Sequence, residues 1–169
     1  AKTQAALFEV MEEQQVTIDG QTYKMEFPFI VMATQNPVEQ EGTYALPEAQ
    51  LDRFFFKLVV DYPDLKEEIS ILKKFKNDFT GQMAQQEVKA VVKPKELRKA
   101  MELVEDVIIK DELIDYIAKI IQETRISQDL FLGASPRASL AIMKSSKAVA
   151  AMNGRNFVTP DDIRAVTYH

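Results

Sequence analysis

Three polar residues stand where their surroundings give no simple reason for them. Asn36 closes the apolar run FPFIVMATQ (Phe27–Gln35) and precedes Pro37, which steers it away from helical backbone angles. An Asn-Pro pair is an ordinary way to end a strand. Equally, a neutral amide at a strand tip can orient a water or a phosphate oxygen. Arg53 ends the short helical pattern LPEAQLDRF, just ahead of Phe54, Phe55 and Phe56. Such an arginine can lay its stem over apolar side chains at the surface, or it can present a forked, permanently charged donor to a neighbouring subunit's anionic ligand. Arg137 lies in GASPRASLAIM, where Ser135 is a helix N-cap and Pro136 takes the first helical position. A cation in that first turn faces the positive end of the helix dipole, at a cost of about 0.3–1 kcal/mol. Either an acidic partner in the fold offsets this, or an anion binds at the helix N-terminus with Arg137 assisting.

Most stand-alone chemistries are excluded. The 169 residues contain no cysteine and one histidine, His169, which removes disulfides, thiolate metal sites and every His-based triad; no metal site is expected. Ser135 has no histidine to activate it. Glu39, Glu41 and Glu48 are too loosely spaced for an acid/base pair, and the three consecutive phenylalanines lack the interleaved basic residues of a base-stacking platform. No G-x-x-x-x-G-K-[ST] loop occurs, so the chain cannot cradle a nucleoside triphosphate in the usual P-loop way. A net charge of −5 with scattered basic residues gives no general affinity for nucleic-acid backbone or anionic membrane. Without an apolar run of membrane length or a signal-peptide layout, the cytoplasm is the expected compartment.

The elements that must position these residues can be read from periodicity. Ala6, Leu7, Val10 and Met11 fall at helical spacing, and QVTIDGQTYKM then alternates around Asp19-Gly20, a strong hairpin signal. FPFIVMATQ has the continuous apolar character of a strand covered on both faces in a parallel sheet, and FFFKLVVDY reads similarly. From Asp64 onward the pattern becomes helical: Leu65, Ile69, Leu72, Phe75 and Phe79; Leu97, Met101 and Val104; Leu113, Ile117, Ile120 and Ile121; Ala138, Ala141, Ile142, Val149 and Met152. Asn153-Gly154 stops the last of these, and Thr159-Pro160-Asp161-Asp162 caps a further helix. The expected architecture is an α/β part, residues 1–61, joined to an all-helical part, residues 62–169, with a polar loop near residues 80–90. Entry into a helix at Ala1 and an ending inside one at Tyr168-His169 read as a fragment of something longer.

Taken as blocks, these segments resemble the MoxR family of AAA+ ATPases over essentially the whole chain. AKTQAALFEVMEEQQVTIDG resembles the segment after that family's Walker B motif, with the hairpin that precedes the sensor 1 strand. FIVMATQNPVEQEGTYALPEAQLDRF is similar to its most recognisable block, and GASPRASLAIMKSSKAVAAMNGRNFVTPDDI to the sensor 2 helix and lid end. Ala45 stands where a proline is usual. The resemblance implies the C-terminal part of a P-loop-type parallel-sheet core with a β-hairpin insert, followed by a helical lid. It further implies that Asn36 is sensor 1, Arg53 the arginine finger and Arg137 the sensor 2 arginine. All three would position phosphates and cancel developing negative charge, the main demand of phosphoryl transfer. ATP and Mg²⁺ would then be cofactors of the parent chain, in a homo-oligomeric, hexameric ring that remodels or activates partner complexes in chaperone fashion, alongside von Willebrand factor A-domain proteins. The Walker lysine and acids would lie before Ala1, so the fragment alone is expected to be inactive and to bind nucleotide weakly. Two other readings are a partner-binding module with no ATP cycle, and an AAA+ motor acting on nucleic acid.

Overall fold

The computed structural model describes residues 2–35, 47–77 and 89–168. Helix α1 (Lys2–Glu13) leads into an antiparallel hairpin of β1 (Gln15–Ile18) and β2 (Gln21–Lys24), with Ile18 opposite Gln21. The turn residues Asp19 and Gly20 have φ of 50° and 79°; positive values at both positions let a two-residue turn match the right-handed twist of the strands. Met25 N–H donates to Gln14 O at 2.7 Å and carries the pairing back to the end of α1.

The two apolar runs expected to be covered strands are not strands here. Residues 26–35 and 54–62 make no ladder with any described residue, and they are largely open to solvent: Ile30 is 74% exposed, Met32 91% and Val60 90%. A parallel strand receives its hydrogen bonds and its cover from flanking strands and crossover helices. The described residues supply neither, so among them the apolar character of these runs is left largely uncovered. At the start of the first run the Arg98 guanidinium, distant in sequence, lies 4.5 Å from the Phe27 ring centroid. Asn36 and the rest of 36–46, Phe79, and most of the loop expected at 80–90 lie outside the described residues.

The helical part forms as its caps and spacing dictate. Short helix α2 (Glu48–Leu51) precedes α3 (Leu65–Phe75), α4 (Pro94–Glu105), α5 (Asp111–Ile126), α6 (Pro136–Met152) and α7 (Pro160–Val166). At the start of α3, Asp64 and Glu67 exchange backbone-to-carboxylate hydrogen bonds of 2.8 and 3.0 Å, a reciprocal capping box. Gly154, with φ 71°, ends α6 in the left-handed conformation. The core gathers Ile117 and Ile121 of α5, Ile142 and Ala150 of α6, and Ile163 and Val166 of α7, closed by Val107 and Val158. Two buried serines on α6, Ser145 and Ser146, satisfy their hydroxyls by donating to the carbonyls of Ala141 and Ile142, both at 2.7 Å. A single parallel bridge between Ile108 and Phe157 ties the segment after α4 to the one before α7. Among the described residues no helix is long and apolar enough to cross a membrane.

The connection from α5 to α6 sets where α6 begins, and it is pinned at close range. Thr124 Oγ1 accepts from Ala134 N–H at 3.0 Å, and Arg125 Nε donates to Ala134 O at 2.9 Å. Next to these bonds Gly133 passes so close to α5 that a Cβ there would lie 2.7 Å from Arg125 Cα. Backbone cannot yield as a flexible side chain can. Gly133→Ala is therefore expected to destabilise the helical part by roughly 1–3 kcal/mol through forced displacement of the loop, read as a lowered urea midpoint; an unchanged midpoint would show that the loop shifts freely.

Candidate phosphate-sensing site

Two of the three residues singled out in the sequence meet at one place. Arg137 lies in the first turn of α6, behind Ser135, whose Oγ accepts from Arg137 N–H at 3.0 Å and caps the helix as expected. Arg53 lies in the turn after α2. Both guanidinium groups reach the same oxygen of Glu12, in the last turn of α1: Arg53 Nη1 pairs with Glu12 Oε1, and Arg137 Nη2 donates to it at 2.9 Å. Asp52 completes the cluster, accepting from Ser135 Oγ at 2.6 Å through Oδ1 and from Arg137 Nη1 at 3.4 Å through Oδ2. The placement of Asn36 lies outside the described residues.

The electrostatics follow from the helix ends. Glu12 is an anion in the last turn of α1, which holds no basic residue, and Arg137 is a cation in the first turn of α6, which holds no acidic one. Each opposes the dipole of its own helix. Brought together across the junction, each supplies the charge that the other's helix end lacks. This is the acidic partner that the sequence allowed as one of two explanations for Arg137, although periodicity could not say which carboxylate would provide it.

Arg53 is held more tightly than Arg137. Its guanidinium stands 5.7 Å from the ring centroid of Phe8, one turn before Glu12 on the same face of α1, so ring and carboxylate form one seat. The side chain is 26% exposed against 54% for Arg137. Arg53 Nε and Nη1 are enclosed without a hydrogen bond among the described residues, the contact of Nη1 with Glu12 being an ion pair only. A buried charged donor in that state retains capacity for an anionic acceptor. An open cavity of about 440 Å³ adjoins the cluster, lined by Asp52, Arg53 and Arg137 with Ile120, Ala138 and Ile142 on its apolar side.

The arrangement can bind and orient an anion. Two forked cations on the wall of an open cavity suit the oxygens of a phosphate. A metal is served less well, since no group of three His, Asp or Glu side chains is placed to hold one among the described residues. Sequence reasoning missed Glu12, Asp52 and the role of Ser135 beyond capping. The available signal was the uncompensated acid at the end of α1.

The family model described as ATPase family associated with various cellular activities (AAA) matches residues 1–56, and that described as AAA lid domain matches residues 122–168. The uncharacterized protein YeaC of Bacillus subtilis is 45% identical over 96% of this chain and 50% of its own length. Chaperone MoxR1 of Mycobacterium tuberculosis is 40% identical over 96% of this chain and 44% of its own. A crystal structure of a candidate ATPase from Cytophaga hutchinsonii superposes with a TM-score of 0.86 at 39% identity, covering 99% of this chain and 52% of that one. The chain thus spans about half the length of the relatives it matches. With one AAA match on the segment holding Glu12 and Arg53 and another on the helices holding Arg137 and the lid core, the chain has the fold of the C-terminal part of an AAA core joined to a helical lid, and it resembles the MoxR ATPases over nearly its whole length.

Proposed function

We propose that this chain is the nucleotide-sensing half of a MoxR-type ATPase, in which residues 1–61 complete the core and residues 62–169 form a lid that moves against it near Pro63. The observation that carries the reading is the convergence of Arg53 and Arg137 on one carboxylate beside an open cavity. Bound ATP with Mg²⁺ would supply the transferable phosphoryl group. Arg137 then orients its phosphates from the lid, Arg53 projects from the end of α2 towards the nucleotide of an adjacent subunit, and Asn36 orients the attacking water. Their shared task is placement and charge neutralisation, which is most of what phosphoryl transfer asks of a protein. The lysine loop that grips the triphosphate is not among these residues, so activity belongs to the full-length protein. That protein would work in the cytoplasm as a homo-oligomeric ring, hexameric by family resemblance, remodelling partner complexes that include von Willebrand factor A-domain proteins.

A purely structural junction would use the same ion pairs, and Arg137→Ala in the full-length protein separates the two. Loss of a sensing arginine is expected to weaken MgATP binding by roughly tenfold, the value of one charge-assisted contact. Fluorescence titration with a labelled ATP analogue measures it. Unchanged affinity together with unchanged turnover would return Arg137 to a structural role.

A further inference from the structure

The proposed finger and the proposed lid sensor are both occupied within the chain, and by the same atom. Glu12 Oε1 forms an ion pair with Arg53 Nη1 and accepts a hydrogen bond from Arg137 Nη2. One oxygen serves two guanidinium groups although a second carboxylate, Asp52, stands within 3.4 Å of Arg137. We propose that Glu12 is a positioning residue that holds both arginines in reserve and makes their release antagonistic; the inference rests on the phosphate-sensing reading above.

The antagonism follows from charge. While both arginines sit on Glu12, each cation repels the other at short range and shares the carboxylate's field. When a phosphate in the chain's own site draws Arg137 away, Arg53 keeps the carboxylate alone and loses a like-charged neighbour, so it is held in place more firmly. When Arg53 extends to a neighbouring subunit, the same reasoning tightens Glu12 on Arg137. Occupancy of a subunit's own site and insertion of its finger next door therefore oppose each other. A ring built on such a contact favours alternating over simultaneous engagement of adjacent subunits. The seat also restrains Arg53 without filling its hydrogen-bonding capacity, because Nε and Nη1 make no hydrogen bond among the described residues. Arg137, the more exposed of the two and bound through one 2.9 Å and one 3.4 Å contact, is the readier to leave.

The test is binding of MgATPγS to full-length Glu12→Gln, with Glu12→Asp as the variant that keeps the charge on a shorter arm. Removing a partly exposed counter-ion is expected to tighten binding by roughly two- to fivefold, and shortening it by less. In an Arg137→Ala background Glu12→Gln should change affinity no further, because the group it competes for is gone. Tightening that persists unaltered in that background, or affinity at or below wild type in both Glu12 variants, would overturn the inference. Arg53→Ala and Arg137→Ala measured in parallel separate the two levels: if both leave binding and turnover at wild-type values, the phosphate-sensing reading itself fails, and if they act while Glu12 does not, only the coupling fails.

Discussion

Arg53→Ala in the full-length protein is expected to lower ATP turnover by about 10³-fold while leaving nucleotide affinity within a few-fold of wild type. The separation of the two effects is what the proposed role demands. A residue that meets the phosphates chiefly as charge develops on them contributes to the transition state and little to the ground state. The geometry supports a residue kept in waiting, since its guanidinium rests on Phe8 and Glu12 with two enclosed nitrogens, Nε and Nη1, making no hydrogen bond among the described residues. Arg53→Lys is expected to recover little, because an ammonium offers a point charge where the guanidinium offers a planar fork. Mixing Arg53→Ala chains with chains that cannot bind nucleotide should restore part of the activity, since an intact finger then faces an intact site in some interfaces. Wild-type turnover in Arg53→Ala would exclude the finger assignment, whereas equal losses in binding and turnover would indicate a damaged junction.

What the sequence disclosed, and what it withheld, divides along the range of the interactions. The Asp19-Gly20 turn, the Ser135 cap with Pro136, the Gly154 stop and the Thr159 start all depend on backbone angles or hydrogen bonds spanning a few residues, and each is found where its residue types place it. The expected helical faces are present, with Ile117, Ile121 and Ile142 in the core. FPFIVMATQ and FFFKLVVDY show the limit of that reasoning. Apolar runs report a need for cover, but not whether the same chain provides it, and here the described residues do not. The site divides in the same way. Arg53 and Arg137 stand out locally, one by its position ahead of three phenylalanines and the other by its sign at a helix N-terminus. Their shared partner Glu12 is separated from Arg137 by most of the chain, and only folding reveals that connection.

Arg155 and Asp162 illustrate a pair with no sequence signal beyond an acidic first turn, and their separation should cost much of the lid's stability. Asp162 accepts from Arg155 at 2.7 and 2.5 Å through its two oxygens, and from Thr159 N–H at 2.8 Å and Oγ1 at 2.9 Å. Its side chain is 4% exposed. The Arg155 hydrogen bond, opposed by burial and aided by Thr159, lowers the carboxyl from 3.8 to about 2. Because the folded value lies below the unfolded one, the contribution is fully present above about pH 4 and is lost as pH falls from there towards 2; it amounts to about 2 kcal/mol. Arg155→Ala leaves a buried carboxylate with only Thr159 as partner and is expected to destabilise the lid by roughly 2–4 kcal/mol at pH 7. It should also shift the acid limb of stability to higher pH, since the principal cause of the depressed value is gone. Urea midpoints of wild type, Arg155→Ala and Asp162→Asn between pH 2 and 7 check both statements. Coincident acid limbs for wild type and Asp162→Asn would contradict the assignment, because the asparagine has no proton to bind. The consequence reaches the proposed site through α6: the clamp fixes the start of α7, α7 packs Ile163 and Val166 against α6, and α6 carries Arg137 at its first turn. Loosening the clamp should therefore weaken MgATP binding in the full-length protein in step with the loss of lid stability, whereas Arg137→Ala should weaken binding with the lid's urea midpoint nearly unchanged.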